Sequence, residues 1–163
     1  MALEIVLLNG RLHDRAGFVS GVPVLDTYLR EQAGQHQRDG IATTHVLTDD
    51  HKPARILGYC SLAAAQLHLH ELRSADRKHL PAYPVPAVRV GRLAVSAGAT
   101  GRGYGRLLVG HAANCAQALR STLGVRLLVV DAKDDRVARF YADYGFQPTA
   151  EKALTMYLVL GNS

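Results

Sequence analysis

Val90-Gly91-Arg92-Leu93-Ala94-Val95 and then Thr100-Gly101-Arg102-Gly103-Tyr104-Gly105-Arg106 are the segments on which the reading of this 163-residue chain turns. The first predicts the end of a strand, Ala87 to Val95, because branched apolar residues dominate it. Behind the second, apolar residues recur at helical spacing and predict a helix from Gly103 to Leu123, closed by Gly124. Three glycines in alternate positions at a strand-to-helix junction let backbone approach a ligand closely, and the free N–H groups of the first helical turn attract phosphate. The junction therefore reads either as a pyrophosphate cradle or as a tight connection. It is not a Walker loop, since no Gly-Lys-Ser/Thr follows, and the Gly-x-Gly-x-x-Gly dinucleotide spacing is absent.

Working outward, Val125 to Asp131 predicts a buried strand, Asp134 to Tyr144 a helix ended by Gly145, and Leu154 to Leu160 a final strand. Upstream, Leu3 to Leu8 predicts a first strand. Pro23 opens a helix whose Leu25, Tyr28, Leu29 and Gln32 share a face until Gly34 or Gly40 weakens it. Ala42 to Thr48 and Arg55 to Leu67, separated by Asp49-Asp50-His51-Lys52-Pro53, predict an antiparallel pair. Glu71 to Pro86, with Pro81, Pro84 and Pro86, predicts a loop with one short helix. The element order implies a mixed α/β layer structure with one parallel crossover after the glycine loop, in a single domain over residues 1–163.

The composition, 48% hydrophobic and 20% charged, is that of a globular chain rather than a disordered one. Net charge is +5, and its distribution is uneven: residues 58–107 hold seven Lys/Arg against two Asp/Glu. Arg73, Arg77, Lys78, Arg89, Arg92, Arg102 and Arg106 carry that excess, which favours a polyanionic ligand or forms a solvated basic face. Cys60 and Cys115 stand far apart without a Cys-x-x-Cys neighbour, so neither a disulfide framework nor a zinc site is expected, and no metal is expected elsewhere. The N-terminal residues lack the basic start of a signal peptide and no segment has the length of a membrane span, which together point to a cytoplasmic protein.

What raises the specificity of the glycine junction is Ala138-Arg139-Phe140-Tyr141-Ala142-Asp143-Tyr144-Gly145-Phe146-Gln147-Pro148 downstream. The two segments together resemble the signature motifs of the GNAT acetyltransferases, closely over residues 88–148 and in element order over the whole chain. The resemblance implies the GNAT acyltransferase fold, with a central, mostly antiparallel sheet, splayed parallel strands and flanking helices, and acetyl-coenzyme A as acetyl donor. By the same resemblance, Leu93, Ala94 and Val95 offer backbone groups to the pantetheine arm, while Thr100, Gly101, Arg102, Gly103, Tyr104, Gly105 and Arg106 surround the pyrophosphate. The family usually has Gln or Arg where this chain has Thr100. Tyr141 matches the tyrosine that many members use as general acid toward the departing thiolate. A phenol titrates near about 10 and a thiol near about 8.5, so a tyrosine can donate a proton as the thiolate forms. Tyr141 also reads as a helix residue packed beside Phe140; Phe146 reads as core, and Tyr144 is open between the two.

A narrower resemblance lies upstream. Gly21, Pro23, Leu25, Asp26, Leu29, Gly58, Tyr59, Ser61, Leu62, Arg92 and Leu93 resemble the acetyltransferase toxins of type II toxin-antitoxin systems. Such toxins acetylate the α-amine of aminoacyl-tRNA and block translation, are neutralised by an antitoxin with a small DNA-binding domain, and are often homodimers. An α-amine with a pKa of about 8 is already partly neutral near neutrality, whereas a lysine amine at about 10.4 needs a base, and no obvious base stands out. Arg73, Arg77, Lys78, Arg89 and Arg92 are the candidate tRNA contacts, although Arg89 and Arg92 also suit coenzyme A or a structural acid. Two other readings stay open: an enzyme of this fold acting on a small amine or a protein N-terminus, and a non-catalytic coenzyme A-binding regulatory module.

His68 and His70 have the spacing of two imidazoles on one side of a strand, without an evident third metal ligand. His45 reads either as lining an acceptor groove or as a hydrogen-bonded half-buried histidine, and Cys60 as a small buried apolar residue.

Overall fold

A computed structural model describes residues 2–161, so the two ends of the domain expected over 1–163 lie outside the described residues. The strands are β1 (Leu3–Leu7), β2 (Thr43–Asp49), β3 (Gly58–Leu67), β4 (Val85–Val95), β5 (Leu127–Asp131), β6 (Gln147–Pro148) and β7 (Thr155–Val159). They form one seven-stranded sheet in the order β1-β2-β3-β4-β5-β7-β6. The β1–β2, β2–β3, β5–β7 and β6–β7 pairs are antiparallel and β4–β5 is parallel, so the mixed, mostly antiparallel α/β fold is as expected. The β4–β5 register runs from Ala87↔Leu127 to Val90↔Val130, and Gly91–Val95 prolong β4 past the last residue it pairs with β5.

The helices are α1 (Pro23–Thr27), α2 (Ala33–Arg38), α3 (Ser74–Arg77), α4 (Tyr104–Leu119) and α5 (Asp135–Ala142). Where one helix was expected from Pro23, α1 and α2 are joined by a π-helical turn, Tyr28–Gln32, closed by the Ala33 N–H donating to the Tyr28 carbonyl. Such a widened turn changes which side chains face inward. Here Tyr28 and Leu29 are both buried, and Gly40 at φ +73° ends the segment. Helix α4 stops at Leu119 rather than Leu123. Past Leu119 the backbone tightens: the Arg120 and Thr122 N–H groups donate three residues back, to the Gln117 and Leu119 carbonyls, and the Ser121 hydroxyl donates to the Ala118 carbonyl. Strand β3 begins at Gly58 rather than Arg55, because the Asp14 N–H donates to the Ala54 carbonyl and holds the preceding residues out of the ladder. Strand β4 begins at Val85 rather than Ala87. Pro86 is tolerated near the strand start, where its carbonyl accepts from the Arg126 N–H.

Contacts cluster into two units, Met1–Ala63 with Gly91–Ala112 and Ala64–Val90 with Ala113–Ser163. In the first, Leu8, Phe18, Tyr28, Leu29, Val46, Ile56, Tyr59 and Ala94 form one apolar core. Each large side chain buried there contributes about 1.5–3 kcal/mol relative to exposure. In the second, Leu67, Leu72, Val85, Ala87, Leu127, Val129 and Tyr157 form another. Leu127 to Val130 of β5 are buried without alternation, as expected of a strand covered on both faces. Among the described residues no helix is long and apolar enough to cross a membrane.

Candidate functional site

The glycine junction belongs to the first unit. Beyond Val95 the chain is pinned twice: the Ser96 N–H donates to the Leu57 carbonyl at 2.9 Å and the Ala97 N–H to the Val19 carbonyl at 2.8 Å. A short 3-10 turn, Ala97–Ala99, follows, with Ala99 buried. Gly101 and Gly103 then take φ of +81° and +78°, left-handed conformations that strain any residue with a Cβ. No heavy atom lies within 4 Å of a Cβ built on either glycine, so the space beside this backbone is open. Helix α4 starts at Tyr104, and its first bond runs from the Leu107 N–H to the Gly103 carbonyl. The preceding first-turn amides have no intrahelical acceptor and concentrate the positive end of the helix dipole. Arg102 and Arg106 are exposed beside them. Successive amides, open space and two cations suit the pyrophosphate of coenzyme A. Two details modify the expectation: Gly105 lies inside the helix, and the Thr100 hydroxyl reaches the Ala97 carbonyl at 3.4 Å.

Leu93 and Val95, which precede the junction, are half-buried and Ala94 is buried. Gly58 faces this stretch closely: an added Cβ would sit 3.0 Å from the Ala94 carbonyl oxygen and 3.1 Å from Leu108 Cδ1. Arg92 stacks its guanidinium 3.6 Å from the Tyr28 ring centroid. The Tyr28 hydroxyl lies 3.0 Å from His36 Nδ1, and the buried Tyr59 hydroxyl donates to the Leu25 carbonyl at 2.6 Å. Burial pushes both phenols above their ordinary range, and Arg92 opposes the rise. Asp26, carried in the sequence reading, accepts from the backbone N–H and hydroxyl of Ser20. Arg92 thus lies on an ordered aromatic wall, which sequence reasoning did not find; Tyr28 read only as part of an apolar helical face.

His45 also gains a partner that was not foreseen. Its Nδ1 lies 2.9 Å from His111 Nε2 on α4, and its Nε2 lies 3.1 Å from the Thr43 hydroxyl. Burial and the neighbouring His111 hold its pKa down to about 4, and burial lowers that of His111. The half-buried, hydrogen-bonded reading of His45 is the one the structure supports.

In the second unit, Asp134 caps α5 by accepting from the Val137 N–H at 2.9 Å, and Gly145 at φ +92° follows its end. This cap and exit place Tyr141 in an aromatic group, 5.3 Å from Phe140 and 5.5 Å from Phe146 between ring centroids. Tyr141 and Phe146 are buried and Tyr144 is half-buried against Phe140. Ring packing fixes the orientation of Tyr141, and a packed ring can still present a phenol, so burial in this group does not exclude the acid reading.

Of the basic candidates in this unit, Arg73, Arg77 and Lys78 lie on or beside α3 and are exposed. Arg89 instead pairs with Asp131 at 2.9 Å, the structural-acid alternative left open by the sequence. The rings of His68 and His70 are stacked, 5.5 Å apart and 7° from parallel, but β3 ends at Leu67, so the pair lies off the strand. A 3-10 turn, Leu69–Glu71, carries His70.

Residues 40–148 match the family described as Acetyltransferase (GNAT) domain. The tRNA-acetylating toxin of Mycobacterium tuberculosis is 32% identical over 90% of this chain and 86% of its own. The structure of AtaT complexed with acetyl-methionyl-tRNAfMet superposes with a TM-score of 0.90 at 26% identity, covering 97% of this chain and 95% of that one. A mutant of AtaT bound to the C-terminus of the antitoxin AtaR and acetyl-CoA gives a TM-score of 0.82 at 25% identity, covering 97% and 93%.

Proposed function

Because the chain belongs to the GNAT acetyltransferase family, we propose that it acetylates the α-amine of aminoacyl-tRNA and thereby blocks translation, as the toxin of a toxin-antitoxin pair. The observation that carries this reading is the similarity to a tRNA-acetylating toxin across 90% of the chain. The glycine junction supplies the physical support.

Acetyl-coenzyme A, when bound, supplies a thioester acetyl group to the attacking amine. The amides from Gly101 to Arg106 would hold its pyrophosphate, with Arg102 and Arg106 adding charge, and Leu93, Ala94 and Val95 would offer backbone groups to orient the arm and polarise the acetyl oxygen. Tyr141 would give the proton of its phenol to the departing sulfur. An α-amine that is partly neutral near neutrality needs little help to lose its own proton, consistent with the absence of an assigned base. Binding both reactants together lowers the entropic barrier, and no covalent acyl-enzyme is needed.

The same reading makes the protein a single cytoplasmic domain and a homodimer, with an antitoxin that carries a small DNA-binding domain as partner. Incubating purified protein with labelled acetyl-coenzyme A, charged tRNA and uncharged tRNA tests it. Label is expected on charged tRNA alone, falling about 100-fold or more in Tyr141→Phe as general-acid contributions do. Label on free amines or protein N-termini instead, with no growth arrest on expression, would overturn the tRNA acceptor. Growth arrest unchanged in Tyr141→Phe would assign the effect to coenzyme A binding without catalysis.

A further inference from the structure

The second unit carries a basic face that acetyl transfer itself does not use. After Leu67 the chain turns through His68–Glu71 into α3, which gathers His68, His70, Arg73 and Arg77 within ten residues. Two hollows open there. One, of about 360 Å³, is lined by His68, His70, Arg77 and Tyr83; the other, of about 400 Å³, by His70, Arg73, Arg77 and Thr149. They adjoin at His70 and Arg77, which line both, and the pair is called the trough below.

The walls are held from the core. Leu72 and Tyr157 are each 1% exposed. The Tyr157 hydroxyl accepts from the Arg73 N–H at 2.9 Å and donates to Asp76 Oδ2 at 2.5 Å, while the Ala150 N–H donates to the Glu71 carbonyl. Burial and Asp76 raise the Tyr157 phenol to about 12, so it remains a donor near neutrality. Asp76 is thereby engaged by a buried phenol rather than by an arginine. Among the described residues neither Arg73, Arg77 nor Lys78 has a carboxylate partner. Two acids border the trough: Glu151 lies 3.6 Å from His70 Nε2, and the Glu71 carboxylate accepts from the His68 N–H at 3.4 Å. At one end Tyr83 is 67% exposed, between Pro81 and Pro84, which limit the backbone freedom of the segment.

We propose that this trough is a subsite for single-stranded RNA, with phosphates on Arg73 and Arg77 and a base stacked on Tyr83. Guanidinium groups without a carboxylate partner, of which that of Arg77 donates to the Ser74 hydroxyl at 3.2 Å, keep charge and donors for phosphate, and an exposed aromatic beside cations provides a sequence-tolerant stacking platform. An apolar peptide would leave the arginines unmatched, and a fully paired duplex would leave Tyr83 without a base face. The inference rests on the aminoacyl-tRNA reading for its biological substrate.

The test measures binding of the full chain to a short fluorescent single-stranded oligoribonucleotide and, separately, acetylation of charged tRNA. Arg73→Gln/Arg77→Gln is expected to weaken oligonucleotide binding and flatten its log-log salt dependence by about 1.4, from about 0.7 per lost phosphate contact. Tyr83→Ala is expected to weaken binding about ten-fold with the salt slope unchanged, as loss of stacking does. The affinity for acetyl-coenzyme A should stay unchanged in all variants, which verifies that they fold. Wild-type affinities in the variants, or failure of the wild type to bind the oligonucleotide, would overturn the subsite even if charged tRNA is acetylated. Loss of binding to an acidic peptide with RNA binding retained would assign the face to a protein partner and also overturn it. Oligonucleotide binding that the variants lose, in a protein that leaves charged tRNA unacetylated, would uphold the subsite and refute the acceptor reading.

Discussion

The guanidinium carbon of Arg92 lies 3.6 Å from the centroid of the Tyr28 ring, and that ring belongs to the π-helical turn between α1 and α2. A cation–π contact with a buried ring and a half-buried guanidinium contributes about 1–2 kcal/mol. The wider turn lets Tyr28 meet Arg92 while Leu29 stays in the core.

A double-mutant cycle with Tyr28→Leu and Arg92→Gln, read by urea denaturation, is therefore expected to return a coupling of about 1–2 kcal/mol. Tyr28→Phe keeps the ring and should retain most of it, losing about 1 kcal/mol for the hydrogen bond to His36. A coupling near zero would mean that the stack is incidental.

The His45–His111 pair makes stability depend on pH. Both folded-state pKa values lie below the ordinary histidine value, that of His45 at about 4. As pH falls through about 6.5 the unfolded chain takes up protons that the folded chain refuses, so stability present above pH ~6.5 is lost progressively down to about pH 4. Urea midpoints of wild type and His45→Gln should diverge across this window, the wild type falling more steeply. Parallel curves would exclude the pair as the source.

The left-handed backbone at Gly103 leads to a split between fold and cofactor. Gly103→Ala meets no atom within 4 Å but must hold φ near +78°, a strain of about 1–3 kcal/mol, or relax away from it. Relaxation misaligns the amides at the head of α4. Calorimetric titration should show acetyl-coenzyme A affinity down about ten-fold or more, with Gly98→Ala, which is unstrained and uncrowded, unchanged. Equal affinity in both variants would remove Gly103 from the cradle.

Gly58→Ala is expected to act on the fold instead. Its Cβ would meet the Ala94 carbonyl oxygen at 3.0 Å, a backbone atom that cannot swing aside, and Leu108 Cδ1 at 3.1 Å. Overpacking of this sort costs about 1–3 kcal/mol, measurable as a lower thermal midpoint. An unchanged midpoint would show that β3 and β4 can separate at no cost there.

The elements that the sequence disclosed are those whose signals are local. Asp134 and Gly145 mark the cap and exit of α5, the β4 strand ends at Val95 as its composition indicated, and Gly101 with Gly103 announces a backbone that other residues resist. Steric freedom and capping act over a few residues, so they can be read along the chain. For the same reason the glycine junction and the position of Tyr141 in its motif were legible, and with them the family.

Tertiary structure decided the rest, because the partners concerned are far apart in sequence and meet only when the sheet closes. Arg89 meets Asp131 forty-two residues away, which takes it from the set of unpaired cations. His45 meets His111 across sixty-six residues, and Tyr157 reaches Asp76 across eighty-one to hold the basic face in place. Just past the end of α4, Arg120 likewise finds carbonyls at Leu160 and Gly161 that no helical periodicity could announce. Residue type specifies what a side chain can bond to; only closure of the fold determines which of its many possible partners comes within bonding distance.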